Sequence, residues 1–179
     1  RQWAMPNKNT FSIKPINELV SRVIANCHEG AVIDPFFGKS PFGEYCVSND
    51  INPEIDADFH IESLDFLKGY ASQTCGIVLF DPPYSPRQVS ECYKKLDMTV
   101  NMQTTQSKFW GDMKKEISRI VMVGGCVVSC GWNSGGIGKT HGFEIEEILM
   151  VAHGGWHNDT IVTIERKIAR QADLFASQS

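Results

Sequence analysis

The sequence predicts a doubly wound α/β fold, a mostly parallel sheet with helices on both faces that finishes in an antiparallel hairpin. Three observations predict it. The runs Ala31-Val32-Ile33, Gly76-Ile77-Val78-Leu79-Phe80 and Gly125-Cys126-Val127-Val128-Ser129 are short and mostly apolar, as parallel strands buried on both faces must be. Segments with apolar residues at helix spacing alternate with them. The last two apolar runs, Phe143 to Ala152 and Thr160 to Lys167, are joined only by the polar turn His153 to Asp159, and strands joined so directly are antiparallel.

Each element follows in order. Ile16, Leu19, Val20, Val23 and Ile24 recur at helix spacing, and Pro15 suits a first helical turn. The first strand ends at Asp34. A second, Tyr45 to Ser48, ends at Asn49-Asp50, and Ala57 to Ile61 is a short third. The fourth ends at Asp81. Phe109, Met113, Ile117 and Ile120 define another helix, with Gly124-Gly125 as its stop before the fifth strand. His153, His157 and Asp159 sit in the hairpin turn, where Asn158-Asp159 serve turn chemistry rather than a metal. One domain over residues 1–168 is expected, followed by a flexible polar tail over 169–179.

Composition narrows the function classes. With 179 residues, 42% hydrophobic and 21% charged, the chain has the make-up of one soluble globular domain. No apolar run approaches the roughly 20 residues that span a membrane, and the N-terminus lacks the layout of a secretory signal. Six cysteines without a Cys-x-x-Cys pair point to a reduced, cytoplasmic protein without a structural metal. A net charge of −4 argues against a broad basic surface for duplex DNA, leaving room for a local patch or a partner that supplies phosphate contacts.

The chemistry concentrates at Asp81-Pro82-Pro83-Tyr84-Ser85-Pro86, placed at the carboxyl edge where open α/β sheets bind ligands. Three prolines in five positions forbid a strand or regular helix and make a rigid turn. Such a turn can offer one ligand group an acid, backbone carbonyls and a stacking ring. An exocyclic amine on a nucleic-acid base needs this. Its lone pair is delocalised into the ring, and accepting its N–H hydrogens at Asp81 and a turn carbonyl draws the nitrogen towards an attacking form. Tyr84 would stack on the base, with Ser85 beside it, once the base has left the duplex.

From Trp3 to about Lys167 the chain resembles amino-directed DNA methyltransferases, in particular small phage-type adenine-N6 enzymes with the class I, Rossmann-like fold. Phe11-Ser12-Ile13-Lys14-Pro15 resembles their N-terminal cofactor motif, and Asp34-Pro35-Phe36-Phe37-Gly38 their first cofactor loop. Asp50-Ile51-Asn52-Pro53 resembles the segment whose acid holds the cofactor ribose, and Glu62-Ser63-Leu64-Asp65-Phe66-Leu67 the segment near its adenine. Asp81 to Tyr84 matches the catalytic motif. The resemblance implies S-adenosyl-L-methionine as cofactor, Asp81 among its contacts, and a flipped adenine of DNA as substrate. It also implies a bacterial or phage-infected host cell. Asp34 and Asp50 each end a strand, so both can face one crevice. Asp50 capping its own turn and a solvated Glu62 are the plainer roles. The first loop departs from the family in its bulky Phe37 and in Pro41, and no segment is long enough for a usual target-recognition domain.

Other signals carry less. Gly38-Lys39-Ser40 and Gly138-Lys139-Thr140 lack the earlier glycine of a phosphate loop, since positions 33 and 133 are Ile33 and Asn133. The glycine-rich stretch Gly131 to Thr140 reads as a lid over the base, with Trp132 stacking, Asn133 beside it and Lys139 on a phosphate, or as a plain connecting loop. In the tail, Gln171, Leu174 and Phe175 resemble the short peptides that dock on the bacterial sliding clamp, and terminal packing is the competing role. Methylation of cytosine N4 or RNA, and a non-catalytic subunit that needs a partner, stay open beside the leading reading, as do a homodimer and a separate recognition subunit.

Overall fold

The structure, a computed structural model, describes residues 1–83 and 107–169. The strands are β1 (Gln2–Trp3), β2 (Ala31–Asp34), β3 (Val47–Ser48), β4 (Cys75–Phe80), β5 (Val121–Gly131), β6 (Phe143–Ala152) and β7 (Thr160–Lys167). The helices are α1 (Lys14–Ala25), α2 (Ser63–Lys68) and α3 (Ser107–Ile120). The seven strands form one sheet in the order β1-β6-β7-β5-β4-β2-β3. Strands β3, β2, β4 and β5 run parallel, and β7 lies antiparallel between β5 and β6. This is the expected mixed sheet with its terminal hairpin. The chain leaves β2 towards β3 on one side and resumes at β4 on the other, so a topological switch point lies between β2 and β4.

Strand β4 is the axis. All six of its residues are buried, and Ile77 to Phe80 alternate between two cores. Ile77 and Leu79 join Ile16, Leu19 and Val20 of α1 on one face. Val78 and Phe80 join Phe66 and Leu67 of α2 and Met113, Ile117 and Ile120 of α3 on the other. Burying one such aliphatic side chain stabilises by about 1.5–3 kcal/mol, which explains why a strand without polar residues belongs at the sheet centre. Helices therefore cover both faces. Arg119 ties two of them together, its guanidinium donating to the Tyr70 carbonyl (2.8 Å) just beyond α2 while also bonding Glu116 on its own helix.

The edges differ from expectation. Tyr45 belongs to a short helical turn (Gly43–Tyr45), and β3 keeps only two residues. The anticipated third strand reduces to a single parallel bridge, Asn49 to Phe59, because Asp58 is instead occupied with the Ser48 N–H and hydroxyl, both at 2.8 Å. Gly124 and Gly125 do not end α3. The helix stops at Ile120 and β5 begins at Val121, so both glycines lie inside the strand. Cys75 pairs with Val121 but Ile77 pairs with Cys126, and five residues of β5 advance against two of β4. That bulge needs the left-handed φ of 84° at Gly124.

The hairpin turn is anchored from within. His153 is buried, its Nδ1 lies 2.9 Å from the Ala4 carbonyl and its Nε2 2.8 Å from the Thr160 hydroxyl. A carbonyl only accepts, so Nδ1 carries a proton. No helix among the described residues is long and apolar enough to cross a membrane.

Gly76 tests the axis. A Cβ there would collide with the Glu29 carbonyl oxygen and lie 2.8 Å from the Cys27 sulfur. Gly76→Ala is expected to lower unfolding free energy by about 2–3 kcal/mol in urea titrations, because backbone cannot yield as a side chain can.

Candidate active site at the carboxyl edge

Asp34, Asp50 and Asp81 stand at or just beyond the carboxyl ends of β2, β3 and β4, three neighbouring strands at the switch point. Asp34 is fully buried. Its Oδ1 accepts the Phe36 N–H at 3.1 Å, which turns the chain sharply out of β2, and its Oδ2 has no hydrogen-bond partner. Burial pushes its carboxyl well above the usual range. The Phe36 N–H opposes that shift, Asp81 and Asp50 reinforce it, and the Ser40 hydroxyl weakly opposes it.

Asp50 is half-buried and holds the first loop. Its Oδ2 accepts the Gly38 N–H at 2.8 Å and its Oδ1 the Asn52 N–H at 2.8 Å. The local Asx turn that would be its plainer role is thus present, but one oxygen also reaches twelve residues back. Gly38 has φ of 53° and nothing within 4 Å of where a Cβ would stand, so the loop turns left-handed with open space on that side.

Asn49, which the sequence marks only as the end of a strand, organises this edge. It is fully buried, donates to the Pro35 (3.3 Å) and Ile61 (3.0 Å) carbonyls, and accepts the Ile61 N–H. The Ser63 hydroxyl donates to the same Pro35 carbonyl at 3.0 Å. Ser63 is therefore engaged in positioning the first loop. Glu62 occupies the position before α2, and Leu64 packs against the core. Ile51, half-buried, follows Asp50 at the rim. Phe36 meets Phe80 edge-on, ring centroids 5.8 Å apart, and so joins the first loop to the end of β4.

In the N-terminal segment Phe11, Ile13 and Pro15 are buried while Ser12 and Lys14 are exposed. Phe11 meets Phe42 edge-on at 6.1 Å, packing the entry to α1 against the segment that follows the first loop. Pro82 is buried and Pro83 half-buried directly after β4, as a rigid turn requires. Tyr84 and Ser85, and Gln171, Leu174 and Phe175 of the tail, lie outside the described residues. Cys130 on β5 is buried beside the turn. Its thiol is pushed well up by burial and then by Asp81 and Asp34.

The glycine-rich stretch divides in two. Trp132 and Asn133 leave β5 at this edge, partly exposed, with the Asn133 Oδ1 accepting the Gly135 N–H at 2.9 Å. Lys139 begins the helical turn (Lys139–His141) that leads into β6, at the far end of the loop. Between them Ile137 enters the core, so the stretch is not free along its length.

Comparison with known proteins bears on the fold. No family model matches the chain, and no curated protein sequence matches it. Among solved structures, TrmN from Thermus thermophilus superposes with a TM-score of 0.56 at 14% identity, over 87% of this chain and 49% of TrmN. A SAM-dependent methyltransferase from Methanosarcina mazei gives 0.54 at 12%, over 83% of this chain and 98% of that one. The 1,6-didemethyltoxoflavin-N1-methyltransferase from Burkholderia thailandensis, solved with S-adenosylhomocysteine, gives 0.53 at 11%, over 83% and 77%. The chain has the class I, Rossmann-like methyltransferase fold. It spans about half the length of TrmN.

Asp34 gives a pH test. Its carboxyl is raised in the fold, so between the ordinary carboxylate range and the raised value the folded chain holds a proton that the unfolded chain has lost. Stability contributed at low pH is therefore lost as pH rises through that window. Asp34→Asn keeps the Oδ1 acceptor and removes the titration, and urea unfolding between about pH 4 and pH 8 is expected to show a flatter pH dependence than the wild type.

Proposed function

We propose that the chain transfers a methyl group from S-adenosyl-L-methionine to the exocyclic N6 amine of adenine in DNA. The observation that carries this reading is the Asp81-Pro82-Pro83 turn set at the end of a fully buried strand, beside Asp34 and Asp50.

Three acidic side chains gathered at one edge suit a ligand with positive charge, and S-adenosyl-L-methionine carries a sulfonium and an ammonium. The orphaned Oδ2 of Asp34 and the open side of Gly38 fit such a group at the first loop. Asp50, held by two backbone N–H groups, retains lone pairs for ribose hydroxyls. When bound, the cofactor supplies a methyl carbon that is electrophilic because its bond to sulfur can break with the electron pair going to sulfur.

The chain's own residues prepare the other reactant. Asp81 accepts one amine hydrogen and a carbonyl of the rigid turn the other, which localises the nitrogen lone pair for attack on the methyl carbon. As the N–C bond forms, the nitrogen becomes positive and releases a proton, with Asp81 as the nearest acceptor on the turn. Tyr84 holds the extruded base by stacking, with Ser85 beside it. Trp132 and Asn133 border the base, and Lys139 would meet phosphate further along the strand.

Methyl transfer to genomic DNA followed by nucleoside analysis decides the reading. N6-methyladenine is the expected product, and N4-methylcytosine alone would move the target base. Asp81→Ala is expected to lower turnover by about 100-fold or more while the dissociation constant for the cofactor stays within about twofold. Turnover unchanged by that substitution would sink the mechanism.

A further inference from the structure

Glu165 of β7 has no part in the chemistry above, yet with Asp34 it is one of two acidic side chains fully buried among the described residues. It lies on β7 opposite Val127 of β5, on the face that carries α2 and α3. Its Oε2 accepts the Ile137 N–H at 2.6 Å and its Oε1 the Gly138 N–H at 2.8 Å. A Cβ at Gly136 would collide with the same carboxylate, so the loop passes directly over it. The loop thus crosses the sheet face where a helix would otherwise join β5 to β6, and one carboxylate satisfies the two consecutive N–H groups that a helix would have bonded itself.

We propose that Glu165 is a positioning residue for the substrate edge: by clamping the loop at Ile137 and Gly138 it holds Trp132 and Asn133 beside Asp81. The inference rests on the reading of that edge as the transfer site. Little slack separates clamp from rim. Four residues lie between Trp132 and Ile137, and the Asn133 turn onto Gly135 takes up part of them. Phe80 pairs with Ser129, so Asp81 and Cys130 each come one residue beyond that pair, and Trp132 follows Cys130 by two positions. A buried charge opposes stability, and an apolar residue under an apolar loop would hold it at less cost. What the carboxylate adds is a fixed direction for two N–H vectors, which apolar packing does not supply. Burial pushes its carboxyl up, while the two N–H groups and Lys114 on α3 favour the ionised, clamping form.

The test uses the whole chain and an adenine-containing single-stranded oligonucleotide. Glu165→Gln keeps the size but turns an N–H donor against one of the two loop N–H groups. Gly136→Ala drives a Cβ against the same carboxylate from the loop side and so loosens the clamp without replacing the acid. Both variants are expected to speed hydrogen exchange at the Ile137 and Gly138 amides and to raise KM for the oligonucleotide about tenfold or more, with cofactor affinity within about twofold. In a Trp132→Ala background, Glu165→Gln is expected to raise KM no further, because it acts through the removed ring.

Faster exchange with KM unchanged would overturn the proposal. So would a parallel fall in kcat, oligonucleotide affinity and cofactor affinity that follows the loss of thermal stability. If Glu165→Gln does not fold, Gly136→Ala decides by the same readouts. Should the wild type methylate no nucleic acid, the transfer reading fails by itself. The clamp is then judged by the oligonucleotide dissociation constant, weaker binding in both variants supporting it and unchanged or absent binding ending it.

Discussion

Everything at the candidate site depends on β4 being buried on both faces. A strand whose six residues are all inside must lie at the sheet centre, and parallel neighbours are then the only ones whose crossover helices can cover both surfaces. That constraint places the ends of β2, β3 and β4 on one edge. The order β3-β2-β4 makes the chain diverge there, and divergence opens a crevice. Asp34, Asp50 and Asp81 come together because each stands at or just beyond the carboxyl end of one of these neighbouring strands.

Two buried carboxylates show opposite uses of the same cost. Asp34 leaves one oxygen without a partner at the crevice, and two further carboxylates nearby make its ionisation harder. A site in that state gains from any ligand that brings positive charge. Glu165 has both oxygens committed to backbone N–H groups. It replaces the internal bonding of a helix, allowing a glycine-rich crossing to cover the sheet. The first is a poised charge, the second a fastened one, and only hydrogen-bond partners distinguish them.

The first cofactor-like loop is held by its neighbours more than by its own residues. Asn49 and Ser63 converge on the Pro35 carbonyl, Asp50 takes the Gly38 N–H, and Phe36 leans on Phe80. Bulky Phe37 and the nearby Pro41 are thus carried in a stretch fixed from outside. The short third strand gives way for a related reason. Asp58 bonds Ser48 directly and leaves only the Asn49–Phe59 bridge of a ladder.

Much of this was legible in one dimension. Apolar runs of strand length ending in Asp34 and Asp81 announced buried parallel strands and their acidic ends, the direct joint at His153 to Asp159 announced the hairpin, and three prolines announced a rigid turn, because period, length and backbone stereochemistry are local properties of the chain. Asn49, the N–H committed to Asp50, the bulge at Gly124 and above all Glu165 were not. Within the apolar run Thr160 to Lys167, nothing local marks Glu165 as buried. Only the crossing of a loop 27 and 28 residues earlier, laid over that strand by the tertiary fold, makes it a buried clamp, since hydrogen-bond partners so distant in sequence are chosen by topology and not by neighbours.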